Sequence, residues 1–264
     1  MYNFDYHRPA SLAEAASALQ GSDEAKLLAG GQTLLATMKQ RLASPSDLID
    51  LSGIGELKGI SVEGDTLVIG AMTTHAEVAK SDVVKGFCAA LAKLAGGIGD
   101  PQVRHRGTIG GSIANADPAA DYPAGLLGLG ATVVTNKREI PADSYFTGLF
   151  ETALEEGEIV TQVRFPKPQR AGYAKFANPA SRYAIVGVFV SQGPSGVRVA
   201  VTGAAPSAFR VSEMEQALAG NFSPDAIAGI SVPSDSLNSD IHASADYRAH
   251  LVNVMARRAV ESAS

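Results

Sequence analysis

Thr108–Asp121 reads T-I-G-G-S-I-A-N-A-D-P-A-A-D, and the rest of the chain is best understood outward from it. Two adjacent glycines, Gly110 and Gly111, let a backbone take positive φ and approach a ligand with no Cβ in the way. Successive N–H groups exposed in such a turn form a concave nest for phosphate oxygens. Thr108 and Ser112 add hydroxyl donors and Asn115 an amide, whereas the carboxylates of Asp117 and Asp121 suit ribose hydroxyls. A second run, Ala29–Thr33 (A-G-G-Q-T), has the same make-up. Together the two predict a diphosphate held between separated loops. Each alone is also what an ordinary tight turn looks like. No G-K-[ST] follows either run, so neither is a Walker loop, and neither contains the G-x-G-x-x-G of a dinucleotide-binding βαβ unit. These residues predict the chemistry of the ligand and leave it unnamed.

Around the two runs, helical and strand periodicities alternate. Ser11 and Glu14 form a capping box ahead of a helix with Leu12, Ala15, Ala16 and Leu19 on one face, stopped at Gly21. A strand at Ala25–Ala29 enters the first glycine run and a helix at Thr33–Arg41 leaves it, which puts an anion at a helix N-terminus. Another strand is expected at Asp47–Leu51. Glu63–Asp65 (E-G-D) marks a hairpin turn, followed by helices over Thr74–Lys80 and Val83–Leu94. Tyr122–Leu129 is wholly apolar. Strands are expected at Ala131–Thr135, Arg138–Ile140 and Ile159–Phe165, before a P-K-P linker. From Gly172 the pattern is an antiparallel meander turning at Gly193–Ser195, with helices over Ser212–Leu218 and Tyr247–Ala263.

Composition narrows the function classes. The 264 residues are long enough for a large core in two domains or one with lobes. Lys and Arg number 22 against 27 Asp and Glu, a net charge of −5, so no basic excess exists to neutralise a nucleic acid. The single cysteine, Cys88, supports neither an intrachain disulfide nor the thiolate set of an iron–sulfur cluster; its apolar helical setting predicts a buried filler. His7, His75, His105, His242 and His250 show no metal-ligand spacing. His105, in R-H-R just before the second run, is expected near the ligand or at the surface. No G-x-S-x-G elbow and no acid/base pair is evident. With no signal peptide and no apolar run of about 18 residues, a cytoplasmic protein without a membrane span is expected.

A-G-G-Q-T-L-L-A-T-M-K from Ala29 and the run from Thr108 together resemble the flavin subunits of the molybdenum hydroxylases, the family of aerobic carbon monoxide dehydrogenase and xanthine dehydrogenase. The likeness extends through F-D-Y-H-R-P (Phe4–Pro9), V-I-G-A-M-T-T-H (Val68–His75), G-D-P-Q-V-R (Gly99–Arg104), Y-A-I-V-G-V and A-R-R-A-V-E near the end. It implies an α+β fold: a two-lobed FAD-binding domain of the PCMH type over 1–170, with lobes at about 1–55 and 56–170, then a smaller C-terminal α+β domain with an antiparallel sheet and helices over 171–264. It implies FAD, its pyrophosphate wrapped by Ala29, Gly30, Gly31, Gln32 and Thr33 with Leu27, Leu28 and Leu34 beside them. Thr108, Gly110, Gly111 and Ser112 would be the second clamp. Asp121 would contact the flavin nucleotide, Ile98 and Val160 would line the cofactor, and Tyr183 would lie next to the isoalloxazine.

The implied partners are an iron–sulfur small subunit and a molybdenum-cofactor large subunit, in a dimer of heterotrimers. Electrons would pass from the iron–sulfur clusters through FAD to an external acceptor. This chain would contribute no catalytic or metal-binding residue. One departure stands out: many relatives carry a basic residue in the segment matching Asn178–Pro179, and Lys175 and Arg182 are the nearby candidates to replace it. A free-standing FAD-dependent oxidoreductase and a non-catalytic nucleotide-binding assembly protein are the alternative readings. The substrate of the complex and the electron acceptor are not written in these residues.

Overall fold

The structure, a computed structural model, describes residues 1–264. Its first lobe is a small parallel sheet. Strands β1 (Asp5–His7), β2 (Lys26–Leu28) and β3 (Asp47–Asp50) lie in the order β1-β3-β2, with helices α1 (Leu12–Gln20) and α2 (Leu34–Lys39) in the connections. Ser11 caps α1 by accepting from Glu14 N at 3.2 Å; the Glu14 carboxylate answers at Ala10 N, not at Ser11 N. Ala15, Ile49, Ile54 and Leu57 form the lobe's own core, and Met72 and Ile159 from the next lobe join it.

The second lobe is built on an all-antiparallel sheet, β4-β5-β10-β6-β7. Its strands are β4 (Ile60–Glu63), β5 (Thr66–Gly70), β6 (Thr132–Thr135), β7 (Glu139–Pro141) and, after a two-stranded hairpin of β8 (Phe146–Gly148) and β9 (Glu151–Thr152), β10 (Val160–Pro166). Six helices occupy the long crossover between β5 and β6: α3 (His75–Lys80), α4 (Asp82–Phe87), α5 (Ala89–Gly96), α6 (Pro101–Arg106), α7 (Ile109–Asn115) and α8 (Tyr122–Leu129). The helix expected over Val83–Leu94 is thus two. Gly86 weakens the last turn of α4, and Cys88, extended at φ −155° and ψ 93°, sits 5% exposed in the core. Burial pushes its thiol up to about 11, which fits a filler.

The C-terminal part is a four-stranded antiparallel meander of β11 (Arg170–Ala177), β12 (Ala184–Gly193), β13 (Gly196–Thr202) and β14 (Phe209–Arg210), with α9 (Ser212–Gly220) and α10 (Ala245–Glu261). Strand periodicity divides its two faces. Val186, Val188 and Val190 of β12, with Val197, Val199 and Val201 of β13, face α9 and α10. Tyr173, Phe189 and Ala200 point the other way, into the core shared with α5 and α8. Helix α8 is therefore enclosed on all sides and every one of its residues is buried, which is why its sequence shows no polar face. A Cβ on Gly128 would stand 2.7 Å from Phe189 Cδ1, so glycine is what lets α8 lie this close to β12. No helix is long and apolar enough to cross a membrane.

Candidate functional site

One cleft of about 660 Å³ opens where the first lobe, the α6–α8 region and the β11–β12 loop meet, a volume in the range of ligand sites. Its floor begins where β2 ends. Gly31 takes φ +71°, and the backbone N–H groups of Ala29, Gly30, Gly31, Gln32 and Thr33 donate to nothing within the chain. Consecutive unpartnered N–H groups around a left-handed residue make an anion nest. Gly30 is there for packing: a Cβ would stand 2.2 Å from Arg106 O and 2.7 Å from Gly107 Cα. The nest is thus pressed against the corner between α6 and α7.

The second glycine run behaves differently from the first. It is not a loop of positive φ but the first turn of α7. Thr108, at φ −118° and ψ 155°, caps it by accepting from Gly111 N at 3.1 Å. The N–H groups of Ile109, Gly110 and Ser112 bond to Thr73 O, Ala71 O and Thr108 O at 3.1, 2.8 and 3.0 Å. The first-turn amides are therefore spent inside the protein. Gly110 serves close packing, since a Cβ would meet Ala71 Cβ at 2.6 Å, and a Cβ on Gly111 would stand 3.2 Å from Ala29 Cβ. The two runs touch, and the α7 residues with polar side chains that line the cleft are Ser112 and Asn115.

Leu27, Ala29, Gly30, Gly31, Gln32, Thr33, Leu34, Ile98, Thr108, Gly110, Gly111, Ser112, Asp121, Val160 and Tyr183 all line this one cleft. Leu28 does not; it lies beneath the nest, with Cδ1 3.2 Å from where a Gly31 Cβ would be. Also outside is His105, exposed on α6 with Nδ1 2.6 Å from Pro101 O. Asp121 is 3% exposed, and its carboxylate accepts from Tyr173 OH and from Lys175 Nζ at 2.9 Å. Burial pushes that carboxyl up, while Lys175 and Tyr173 favour the anion. The same ammonium donates to Gly97 O at 2.8 Å and Arg182 O at 2.9 Å. Lys175 is thus a buried tie between α5, α8 and the β11–β12 loop.

Reading the residues in sequence missed His75, Glu158 and Ser181 as parts of this cleft, whereas Arg182 was already a candidate. His75 lines the cleft at 4% exposure, directly after Thr74, whose capping box with Glu77 is complete. Its N–H donates to Gly107 O at 3.0 Å, and its ring fills the place of a Gly107 side chain, with Nε2 2.6 Å from where a Cβ would be. Nδ1 has no partner, and burial, helped by Arg104, holds the imidazole down at about 4, neutral at pH 7. Glu158, fully enclosed, accepts from Arg138 Nε and Nη2 at 2.9 and 3.0 Å, from Thr135 Oγ1 at 3.1 Å and from Glu155 N at 2.7 Å. These bonds, Arg138's first, hold its carboxyl at about 2, so it stays anionic and is no general base near pH 7. Ser181 and Arg182, beside Tyr183, complete the wall on the C-terminal side. A T-T-H-A-E capping signal was legible; the contact of Glu158 with Arg138 across separate strand ends was not.

A nest of free amides, hydroxyl and amide donors across from it, apolar walls of Leu27, Ile98 and Val160, and the aromatic face of Tyr183 fit a dinucleotide with a diphosphate and a flat ring. The model of the FAD binding domain in molybdopterin dehydrogenase matches residues 2–168, and that of the CO dehydrogenase flavoprotein C-terminal domain matches 172–263. The carbon monoxide dehydrogenase medium chain of Hydrogenophaga pseudoflava is 39% identical, over 98% of this chain and 96% of its own. The nicotine 6-hydroxylase medium subunit of Paenarthrobacter nicotinovorans is 38% identical, over 98% and 96%. Among solved structures, the Hydrogenophaga pseudoflava carbon monoxide dehydrogenase lacking the Mo-pyranopterin moiety of its cofactor superposes with a TM-score of 0.87 at 37% identity, covering 99% of this chain and 97% of that one.

Proposed function

The chain belongs to the FAD-binding flavoprotein family of the molybdopterin dehydrogenases, and from that premise we propose how it works and with whom. It is the FAD-binding medium subunit of an oxidoreductase complex of the carbon monoxide and xanthine dehydrogenase type. Bound FAD supplies the chemistry, taking up electrons and releasing them again. The residues of this chain hold and surround it. The nest of Ala29–Thr33 grips the diphosphate, Ser112 and Asn115 add donors from α7, and Tyr183 offers a face to the flavin ring. Asp121, already engaged by Tyr173 and Lys175, shapes that end of the cleft and fixes the loop bearing Tyr183.

The observation that carries this assignment of residues is the run of unpartnered amides at Gly31 lining one cleft with Ser112 and Asn115. The complex partners are an iron–sulfur chain that delivers electrons and a molybdenum chain that oxidises the substrate, assembled as a dimer of heterotrimers and acting in the cytoplasm. Purification and denaturation of the chain, with identification of the released cofactor, tests the first part: it releases FAD, and failure to bind FAD after reconstitution overturns it. Metal analysis tests the second. Iron and molybdenum are expected only when the partner chains are co-expressed; stoichiometric iron or molybdenum in the lone chain instead favours a free-standing oxidoreductase.

A further inference from the structure

Two cationic side chains line the cleft, Lys26 from β2 beside the nest and Arg182 from the β11–β12 loop beside Tyr183. The other cations bonded to residues that line or flank the cleft are committed elsewhere. Lys175 is tied to Asp121, Gly97 O and Arg182 O, Arg104 to Ile98 O and Gly99 O, and Arg138 to Glu158. Arg182's own guanidinium makes no ion pair and no hydrogen bond, and its backbone is held in an unusual state, φ +62°, a region L side chains rarely take. The surrounding loop enforces it. Arg182 N donates to Asn178 O at 2.9 Å, Asn178 N to Tyr183 O at 2.8 Å, and Asn178 Oδ1 accepts from Ala180 N and Ser181 N at 2.9 and 3.2 Å. Lys175 Nζ then pins the Arg182 carbonyl. Of the carboxylates lining the cleft, Asp121 and Glu158 are matched by Lys175 and Arg138, which leaves Asp117 as the unmatched anion near this loop. Over-determined strain of this kind is characteristic of a side chain that must be presented.

We propose that Arg182 tunes the redox potential of the bound flavin, its free guanidinium favouring the reduced cofactor over the oxidised one. The inference rests on the FAD reading above. Two electrons, delivered one at a time by an iron–sulfur donor, and one proton from solvent leave the flavin ring with one more negative charge than it began with. A cation carried on the ring side of the cleft by a held backbone stabilises that charge and interacts little with the neutral oxidised ring. The nest assigns the diphosphate to the first lobe, and Tyr183, the one Phe, Tyr or Trp lining the cleft, assigns the ring to the side where Arg182 stands.

The test is potentiometric titration of the FAD-loaded chain, together with FAD titration into apoprotein, for wild type, Arg182→Lys, Arg182→Gln and Arg182→Gly. Glycine accepts the left-handed backbone, so that variant removes the charge without burdening the fold. Both neutral variants are expected to lose about tenfold in preference for reduced over oxidised flavin, a midpoint potential about 30 mV lower for a two-electron couple, with affinity for oxidised FAD within about threefold of wild type. Arg182→Lys should keep most of the wild-type potential. An unmoved potential in both neutral variants overturns the proposal. So does an equal loss of affinity for both redox forms, or loss of FAD altogether, either of which makes Arg182 a general grip on the cofactor. Failure of the wild-type chain to take up FAD defeats the underlying reading instead, and with it this one.

Discussion

A methyl group on Gly30 would meet two backbone atoms, Arg106 O and Gly107 Cα, that cannot swing aside. Gly30→Ala must therefore lift the nest off the α6–α7 corner, and FAD affinity should fall tenfold or more, about 1.4 kcal/mol or above. Titration of FAD into apoprotein, followed by flavin fluorescence, checks this; unchanged affinity would mean the corner yields freely. Behind the same corner stands His75, and its burial has a pH consequence. Its folded value of about 4 lies below the ordinary 6.5, so between those limits the unfolded chain binds a proton that the native ring refuses. Stability contributed here is complete above pH 6.5 and lost as pH falls toward 4, at up to about 1.4 kcal/mol per pH unit. His75→Gln should flatten that slope between pH 6.5 and 5, above the ordinary carboxylate range. Urea unfolding of both proteins across the window measures it, and parallel slopes would show that His75 takes up its proton equally in the folded and the unfolded chain.

Helix α7 shows what a sequence discloses about an element and what it conceals. T-I-G-G-S satisfies the criteria for a glycine turn and for a capped helix equally, because Thr is an N-cap residue and glycine is tolerated in a first turn. What decides is tertiary: Ala71 O and Thr73 O accept from Gly110 N and Ile109 N, and no local pattern reveals that β5 and its exit will lie there. Thr108→Ala should accordingly destabilise the protein by about 1 kcal/mol and weaken FAD by a similar factor, since α7 carries Ser112 and Asn115. Chemical denaturation and FAD titration report the two; a stability loss with unaltered FAD affinity would separate α7 from the site. The amphipathic elements were legible for the converse reason. The β11–β13 meander and α10 are found where alternation and helical spacing place them, as Val188, Val190, Val199 and Val201 on one face and Leu251, Val252 and Met255 opposite show. The break at Cys88 and the short edge strand β1 carry too little local signal to be found, since three residues of strand have no measurable period.

At the scale of the molecule, the β11–β13 meander is built into the body that forms the cleft and its β11–β12 loop is one wall of it, because buried polar groups cross from one part of the chain to the other. Ser191 Oγ and Arg198 Nε donate to Gly128 O and Leu127 O at the end of α8, at 2.6 Å each, and Arg198 also pairs with Asp143. Tyr173 and Lys175 do the same for Asp121 at the other end of that helix. Removing one member of a buried pair leaves the other as an uncompensated charge, which commonly costs about 3–5 kcal/mol, whereas removing both is often close to neutral. Lys175→Met should therefore destabilise strongly and free the Arg182 carbonyl, loosening the loop that bears Tyr183. Asp121→Asn alone should cost less, because the amide oxygen still accepts from Tyr173 and Lys175 keeps two carbonyl partners. The double variant should recover much of what Lys175→Met loses, giving a coupling energy well above the about 0.5 kcal/mol of independent sites. Urea unfolding of the four proteins measures the cycle, and limited proteolysis at the β11–β12 loop reports the loosening. If the single costs merely add, Asp121 and Lys175 are not one unit, and the C-terminal sheet is held to the cleft by its other contacts, among them those of Ser191 and Arg198 with α8 and of Thr202 with Pro118 O and Ala120 O.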